Sequence, residues 1–286
     1  MNNCLEKTLV SKNIKFYYRD WGGSGQKIIL LHGLASNSRI WDFVAPILSN
    51  RFRVVAVDQR GHGLTDKPFD GYDFSSIVDD LKYFLDEIDF MKPIIVGHSW
   101  GAMVALSYAA KYSYLAKGVC LIDGGTTNLS LSDLTYNAMK KKMTPPVFSG
   151  TSVKKFKDSI QLKLNAMNNS LLEDIILSNF NIINDKILEA KLSLNNHMKI
   201  IESIWNYKPS DIYRNIKIPV LLMPARQEPL IDKYLLKYNG INEALICLDL
   251  VKLIWLEDSI HDVPLQRPEL LVNNIIKEFN SGFFNI

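Results

Sequence analysis

Gly97-His98-Ser99-Trp100-Gly101 places a serine between two glycines, directly after the apolar run Pro93-Ile94-Ile95-Val96 and directly before Ala102, Val104, Ala105, Ala109 and Ala110. A serine on a sharp turn between a buried strand and a helix presents its hydroxyl to a substrate. The flanking glycines let neighbouring backbone come close. The chemistry that suits such a serine is nucleophilic attack on an acyl carbon. It requires a base for the hydroxyl proton, an acid to orient the base, and amide donors for the oxyanion that forms.

Five histidines compete for the role of base: His32, His62, His98, His197 and His261. His98 adjoins the serine on the turn, where its side chain is expected to point away, and His197 lies in a long helical interval. His32 and His62 follow early strands and read as residues that order their loops. His261 follows the last apolar run through the short segment Leu256-Glu257-Asp258-Ser259-Ile260, from which an imidazole can reach over the strand ends toward Ser99. It is the predicted base.

Two carboxylates compete for the acid. Glu228 follows Pro219 to Met223 through Pro224-Ala225-Arg226-Gln227, in the chain order serine, acid, histidine, and is the first choice for its longer reach. Asp123, at the end of the preceding apolar run, is its rival. His32-Gly33-Leu34 lies at the end of another such run, and the backbone N–H groups of Leu34 and Trp100 are the expected oxyanion donors. Each donor of this kind contributes about 3–4 kcal/mol to transition-state stabilisation. Asp58-Gln59-Arg60-Gly61-His62-Gly63-Leu64-Thr65 is read as a loop fixed by its own hydrogen bonds.

The elements that must position these groups alternate. Ile28 to Leu31, Val54 to Val57, Ile94 to Val96 and Val119 to Ile122 are continuous apolar runs, as expected of strands covered on both faces. Ile14 to Tyr18 alternates instead and suits an edge hairpin. Ile77, Leu81, Phe84, Leu85 and Ile88 recur at helical spacing, predicting an amphipathic helix from Ser76 to Asp89. The pattern predicts an α/β protein with a doubly wound, mostly parallel sheet. It stops after Asp123 and resumes at Ile218 to Met223, then Val251 to Trp255 and a last helix opened by Pro268. The predicted organisation is a core of residues 1–127 and 214–286 with a helical lid of residues 128–213 inserted in it. Phe148, Met198, Ile201, Ile204 and Trp205 are candidates for an apolar wall over the substrate, with Phe148 and Trp205 foremost, although a lid helix must bury an apolar face merely to pack.

The chain has 286 residues, 47% of them hydrophobic, enough to bury a full core. Its 33 basic and 30 acidic residues leave a formal charge of +3, and apart from Lys140-Lys141-Lys142 they are interspersed, so no nucleic acid or anionic membrane is expected as partner. Cys4, Cys120 and Cys247 are odd in number and lack metal-ligand spacing. No metal, no organic cofactor and no membrane insertion are expected, and a cytoplasmic location is.

In His32-Gly33, Asp58-Gln59-Arg60-Gly61-His62-Gly63, Gly97-His98-Ser99-Trp100-Gly101 and His261, taken in order, the chain resembles the α/β-hydrolase superfamily of lidded esterases from about Lys27 onward. Around Gly97 to Gly101 it is similar to the epoxide hydrolase and haloalkane dehalogenase branch, but those enzymes use aspartate where Ser99 stands, and serine implies acyl transfer. Members usually carry Gly-x-x-Asp after the strand ending at Met223, whereas this chain has Ala225-Arg226-Gln227-Glu228. The resemblance implies a serine hydrolase of small-molecule carboxylic esters or related acyl compounds. A lactonase or carbon-carbon hydrolase with the same triad, and a receptor on the same scaffold that does not turn over, are the alternatives.

Overall fold

The structure is a computed structural model that describes residues 4–163, 170–227 and 235–285. Eight strands among these residues form one sheet in the order β1-β2-β4-β3-β5-β6-β9-β10. They are β1 (Leu5–Ser11), β2 (Ile14–Gly22), β3 (Lys27–Leu31), β4 (Arg53–Val57), β5 (Ile94–His98), β6 (Gly118–Ile122), β9 (Val220–Met223) and β10 (Val251–Leu253), with β7 (Phe180–Ile183) and β8 (Lys186–Ala190) paired apart from it. From β4 to β10 every pairing is parallel, while β1 and β2 are antiparallel at one edge. This is the doubly wound sheet that the apolar runs predict, with the expected hairpin at its edge.

The runs are continuous because both faces are covered. Ile29 and Leu31 of β3 join one core cluster and Ile28 and Leu30 the other, and the same division splits Ile95 from Ile94 and Val96 in β5. Helices α2 (Phe74–Glu87), α3 (Trp100–Lys111), α8 (Ser210–Tyr213) and α9 (Leu235–Cys247) contribute to the first cluster. Helices α1 (Ala45–Leu48), α10 (Val263–Gln266) and α11 (Pro268–Asn280) contribute to the second. The predicted helix over Ser76 to Asp89 starts two residues earlier than expected, because the Asp73 side chain caps it by accepting from the Ser76 N–H.

The interval between β6 and β9 is the segment expected as a lid, here termed the cap. It contains α4 (Tyr136–Met143), α5 (Val153–Lys163), α6 (Ser170–Leu177) and α7 (Leu194–Trp205), but also the antiparallel hairpin of β7 and β8, so it is not wholly helical as expected. The hairpin turns at Asn184 and Asp185, both with positive φ (49° and 57°). Asparagine and aspartate tolerate that backbone, and two such residues make the turn whose twist matches a hairpin. Asn-Asp between Phe180-Asn181-Ile182-Ile183 and Lys186-Ile187 is the sequence signal for it.

Phe156, Leu177 and Ile187 form a small core within the cap, separate from the two clusters of the sheet. A few polar side chains tie cap to core. Buried Asn37 donates to Ser178 Oγ (2.8 Å) and Asn179 Oδ1 (2.7 Å), Asn196 donates to Tyr72 OH (2.7 Å), and Tyr207 OH donates to the Gly125 carbonyl (2.9 Å). Among the described residues no helix is long and apolar enough to cross a membrane.

Candidate active site

Ser99 joins β5 to α3 with φ 55° and ψ −118°, a strained conformation for a residue with a side chain. The turn is held by its own backbone: Ser99 N–H donates to the Ile122 carbonyl (2.9 Å) and Ala102 N–H to the Ser99 carbonyl (3.0 Å). The two glycines of the motif are needed for close approach. A Cβ on Gly97 would stand 2.2 Å from the Gly101 carbonyl oxygen, and one on Gly101 would stand 2.4 Å from that of Leu31. Strand and helix therefore meet with no room for a side chain at either position.

His261 extends from the loop after β10, and its Nε2 lies 2.9 Å from Ser99 Oγ. Its Nδ1 lies 2.6 Å from Asp123 Oδ2. A carboxylate only accepts, so Nδ1 carries the proton and Nε2 is left to accept from the serine hydroxyl. The first-choice acid of the sequence reading, Glu228, lies outside the described residues. The rival, Asp123, is the carboxylate that stands against His261. It follows β6 directly, with φ 44°, and β6 is hydrogen-bonded to β5, the strand that leads into Ser99.

The environments of the pair differ. The Asp123 side chain is 4% exposed and that of His261 54%, so the acid is enclosed while the base faces the open side. Burial pushes the Asp123 carboxyl upward, but the bond from His261 and the charge of Lys237 more than offset it, and the group stays below the usual carboxylate range. For His261, burial lowers the imidazole pKa, and the bond and charge of Asp123 reverse that into a net rise. Ser99, His261 and an ionised Asp123 thus form a continuous relay able to move a proton from Oγ to Nε2.

Other histidines fall into supporting places. His98 uses Nε2–H to hold the His261 carbonyl at 2.8 Å. Burial first, then the neighbouring His261, lowers its pKa to about 4, which keeps it neutral. Sequence reasoning missed this anchor, for nothing local announces a bond across 163 positions. His32 accepts from the Gln59 N–H at Nε2 (3.0 Å) and donates from Nδ1 to the Gly33 carbonyl (2.8 Å), which fixes it as a loop-ordering residue. His62 stacks on the Trp100 ring with centroids 5.1 Å apart, and His197 donates to the Met143 carbonyl (3.0 Å) within the cap. Asp58 accepts from the N–H groups of Ser38 (2.7 Å) and Leu64 (2.8 Å), while Arg60 grips Asp80 through two bonds of 2.6 and 2.8 Å. The loop that carries them is fixed by hydrogen bonds, as the sequence suggests.

The loop holding Leu34 passes close above the serine, since a Cβ on Gly33 would lie 3.1 Å from Ser99 Cβ. Trp100 opens α3, so its N–H is among those a helix start leaves without an intrahelical acceptor. Phe148 packs on Phe156 and Phe180 inside the cap (centroids 4.9 and 5.8 Å). Trp205 lies against Tyr136 (5.7 Å), Ile201 is buried, Ile204 is buried in the first sheet cluster, and Met198 is half-buried. Among the described residues no group of three or more histidine, cysteine, aspartate or glutamate side chains could hold a metal ion.

A protein family described as the alpha/beta hydrolase fold matches residues 27–249. The 2-(acetamidomethylene)succinate hydrolase of Mesorhizobium japonicum is 43% identical over 101 residues, 35% of this chain and 36% of that protein. The match thus spans little more than a third of that curated relative. Among solved structures, an E-2-(acetamidomethylene)succinate hydrolase superposes with a TM-score of 0.79 at 21% identity, covering 97% of this chain and 100% of that one. A thioesterase domain from the curacin biosynthetic pathway superposes with a TM-score of 0.76 at 18% identity, covering 96% and 100%.

Proposed function

From the premise that the chain belongs to the α/β-hydrolase family, we propose that it is a serine hydrolase cleaving a small carboxylic ester or related acyl compound through an acyl-enzyme on Ser99. The observation that carries this reading is the unbroken line from Asp123 through His261 to Ser99, with separations of 2.6 and 2.9 Å. In this reading His261 Nε2 removes the Oγ proton, and Oγ attacks the acyl carbon. The backbone N–H groups of Leu34 and Trp100 receive the oxyanion, and His261 returns the proton to the leaving group. Water, activated by the same imidazole, then releases the acid and restores Ser99. Asp123 stays ionised throughout and holds the imidazolium that forms.

Two of the similar proteins carry names of hydrolytic reactions, a hydrolase and a thioesterase, which supports acyl transfer to water as the reaction class. The cap of residues 128–213 is the expected source of substrate selectivity. The free thiols Cys4, Cys120 and Cys247 support a reducing, cytoplasmic setting.

The test is labelling with a fluorophosphonate probe, read by intact mass, beside turnover of p-nitrophenyl esters of several chain lengths. A single adduct that Ser99→Ala abolishes, with a loss of turnover of about 10⁴-fold or more, is the expected result. An alanine variant with near-normal turnover would remove Ser99 from the chemistry. Labelling without turnover of any ester would favour a receptor on this scaffold.

A further inference from the structure

The second oxygen of Asp123 is as fully engaged as the first. Oδ1 accepts from Lys237 Nζ at 2.7 Å and from the Ala225 N–H at 3.0 Å, and the same Nζ donates to the Ala225 carbonyl at 3.0 Å. Lys237 lies in the first turn of α9, and Ala225 follows β9 in the segment where family members usually carry the acid. Here that segment supports a carboxylate supplied by the neighbouring strand.

We propose that Lys237 is a positioning residue that sets the working pH of His261 by neutralising Asp123 from the side opposite the imidazole. The proposal rests on the reading of Asp123, His261 and Ser99 as a catalytic relay. A buried carboxylate with a single partner would hold the imidazolium strongly, and a base that is already protonated cannot take a proton from serine. A lysine on the far oxygen keeps the carboxylate ionised and its direction fixed, but subtracts from its pull on His261. The ion pair is little screened by water, because the Asp123 side chain is 4% exposed and that of Lys237 23%.

The other groups acting on His261 among the described residues do not supply this compensation. His98, at the end of β5, is held neutral by burial, and Asp262, on the same loop as His261, is an acid that adds to the upward pull. Burial is the largest downward pull on the imidazole pKa, and Lys237 is the charged group that adds to it against both acids.

The sign of the effect is fixed. His261 must be neutral to act, so the rate falls as pH falls through its pKa, and removing the lysine charge must move that limb to higher pH. In Lys237→Gln, which keeps a hydrogen-bond donor but not the charge, the acid limb of fluorophosphonate labelling is expected to rise by about one unit. Labelling below the limb is then about tenfold slower. Lys237→Arg should return the limb toward the wild-type position. The same series, followed by the NMR titration of the His261 ring, reads the pKa without any need for reactivity at Ser99. A His261 pKa unchanged in Lys237→Gln would overturn the proposal. Wild-type protein that takes no label would instead overturn the nucleophile reading, while the ring titration still decides the role of Lys237. Melting curves of the two variants confirm that folded protein is being compared.

Discussion

At the ends of the central strands, two of the candidate catalytic groups are fixed by backbone. Ser99 and Asp123 both hold positive φ, and the Ser99 N–H is bonded to the carbonyl of Ile122, the residue before Asp123. In the cap, by contrast, the candidate substrate contacts are held by other side chains: Phe148 by Phe156 and Phe180, Trp205 by Tyr136. The first kind of construction ties chemistry to short motifs, because only a few residue types fit each strained or crowded position. The second leaves many combinations of side chains able to fill the same space.

The comparison is sharpest where the two constructions are broken separately. Asp123→Asn preserves the shape of the acid but favours the wrong imidazole tautomer, so turnover is expected to fall by about 10³–10⁴-fold. Glu228→Gln should leave it within a few-fold. Steady-state kinetics on both variants decide between the two acids, and the reverse ranking would return Glu228 to the site. Gly101→Ala forces a methyl group against the Leu31 carbonyl, at 2.4 Å before any adjustment. A loss of about 2–3 kcal/mol of stability is expected, measured by denaturant unfolding. A mild substitution at the cap seam should do much less. Asn196→Ala removes the bond to Tyr72 OH and should cost about 1 kcal/mol, raising KM a few-fold with kcat nearly constant. An equal fall in kcat would show that the cap takes part in forming the reactive geometry.

The turn at Ser99 and the reach of His261 toward it could be read from the sequence because their signals are local: a motif wedged between strand and helix, and a histidine just beyond the last strand. The sheet could be read for a similar reason, since strands covered on both faces are apolar without interruption. The partner of His261 could not be chosen from local features. The longer reach of a glutamate after β9 favours Glu228, whereas Asp123 owes its place to β6 lying beside β5, a matter of strand order in space. Lys237 was missed altogether, as its bond to Asp123 crosses 114 positions. The cap hairpin was overlooked amid leucine, isoleucine and lysine that suit helices, although Asn184-Asp185 marked its turn.

Asn37 gives the seam between the two regions a practical meaning for anyone who would graft a different cap onto this scaffold. Its side chain accepts from the Arg39 N–H on the core side (2.9 Å) while its amide nitrogen serves Ser178 and Asn179 on the other. A foreign cap without matching acceptors would strand two donors of a side chain that is 4% exposed, a burden of about 1–3 kcal/mol. The natural unit of exchange is therefore the cap together with Asn37, and a chimera cut at the ends of residues 128–213 alone would begin with a mismatch.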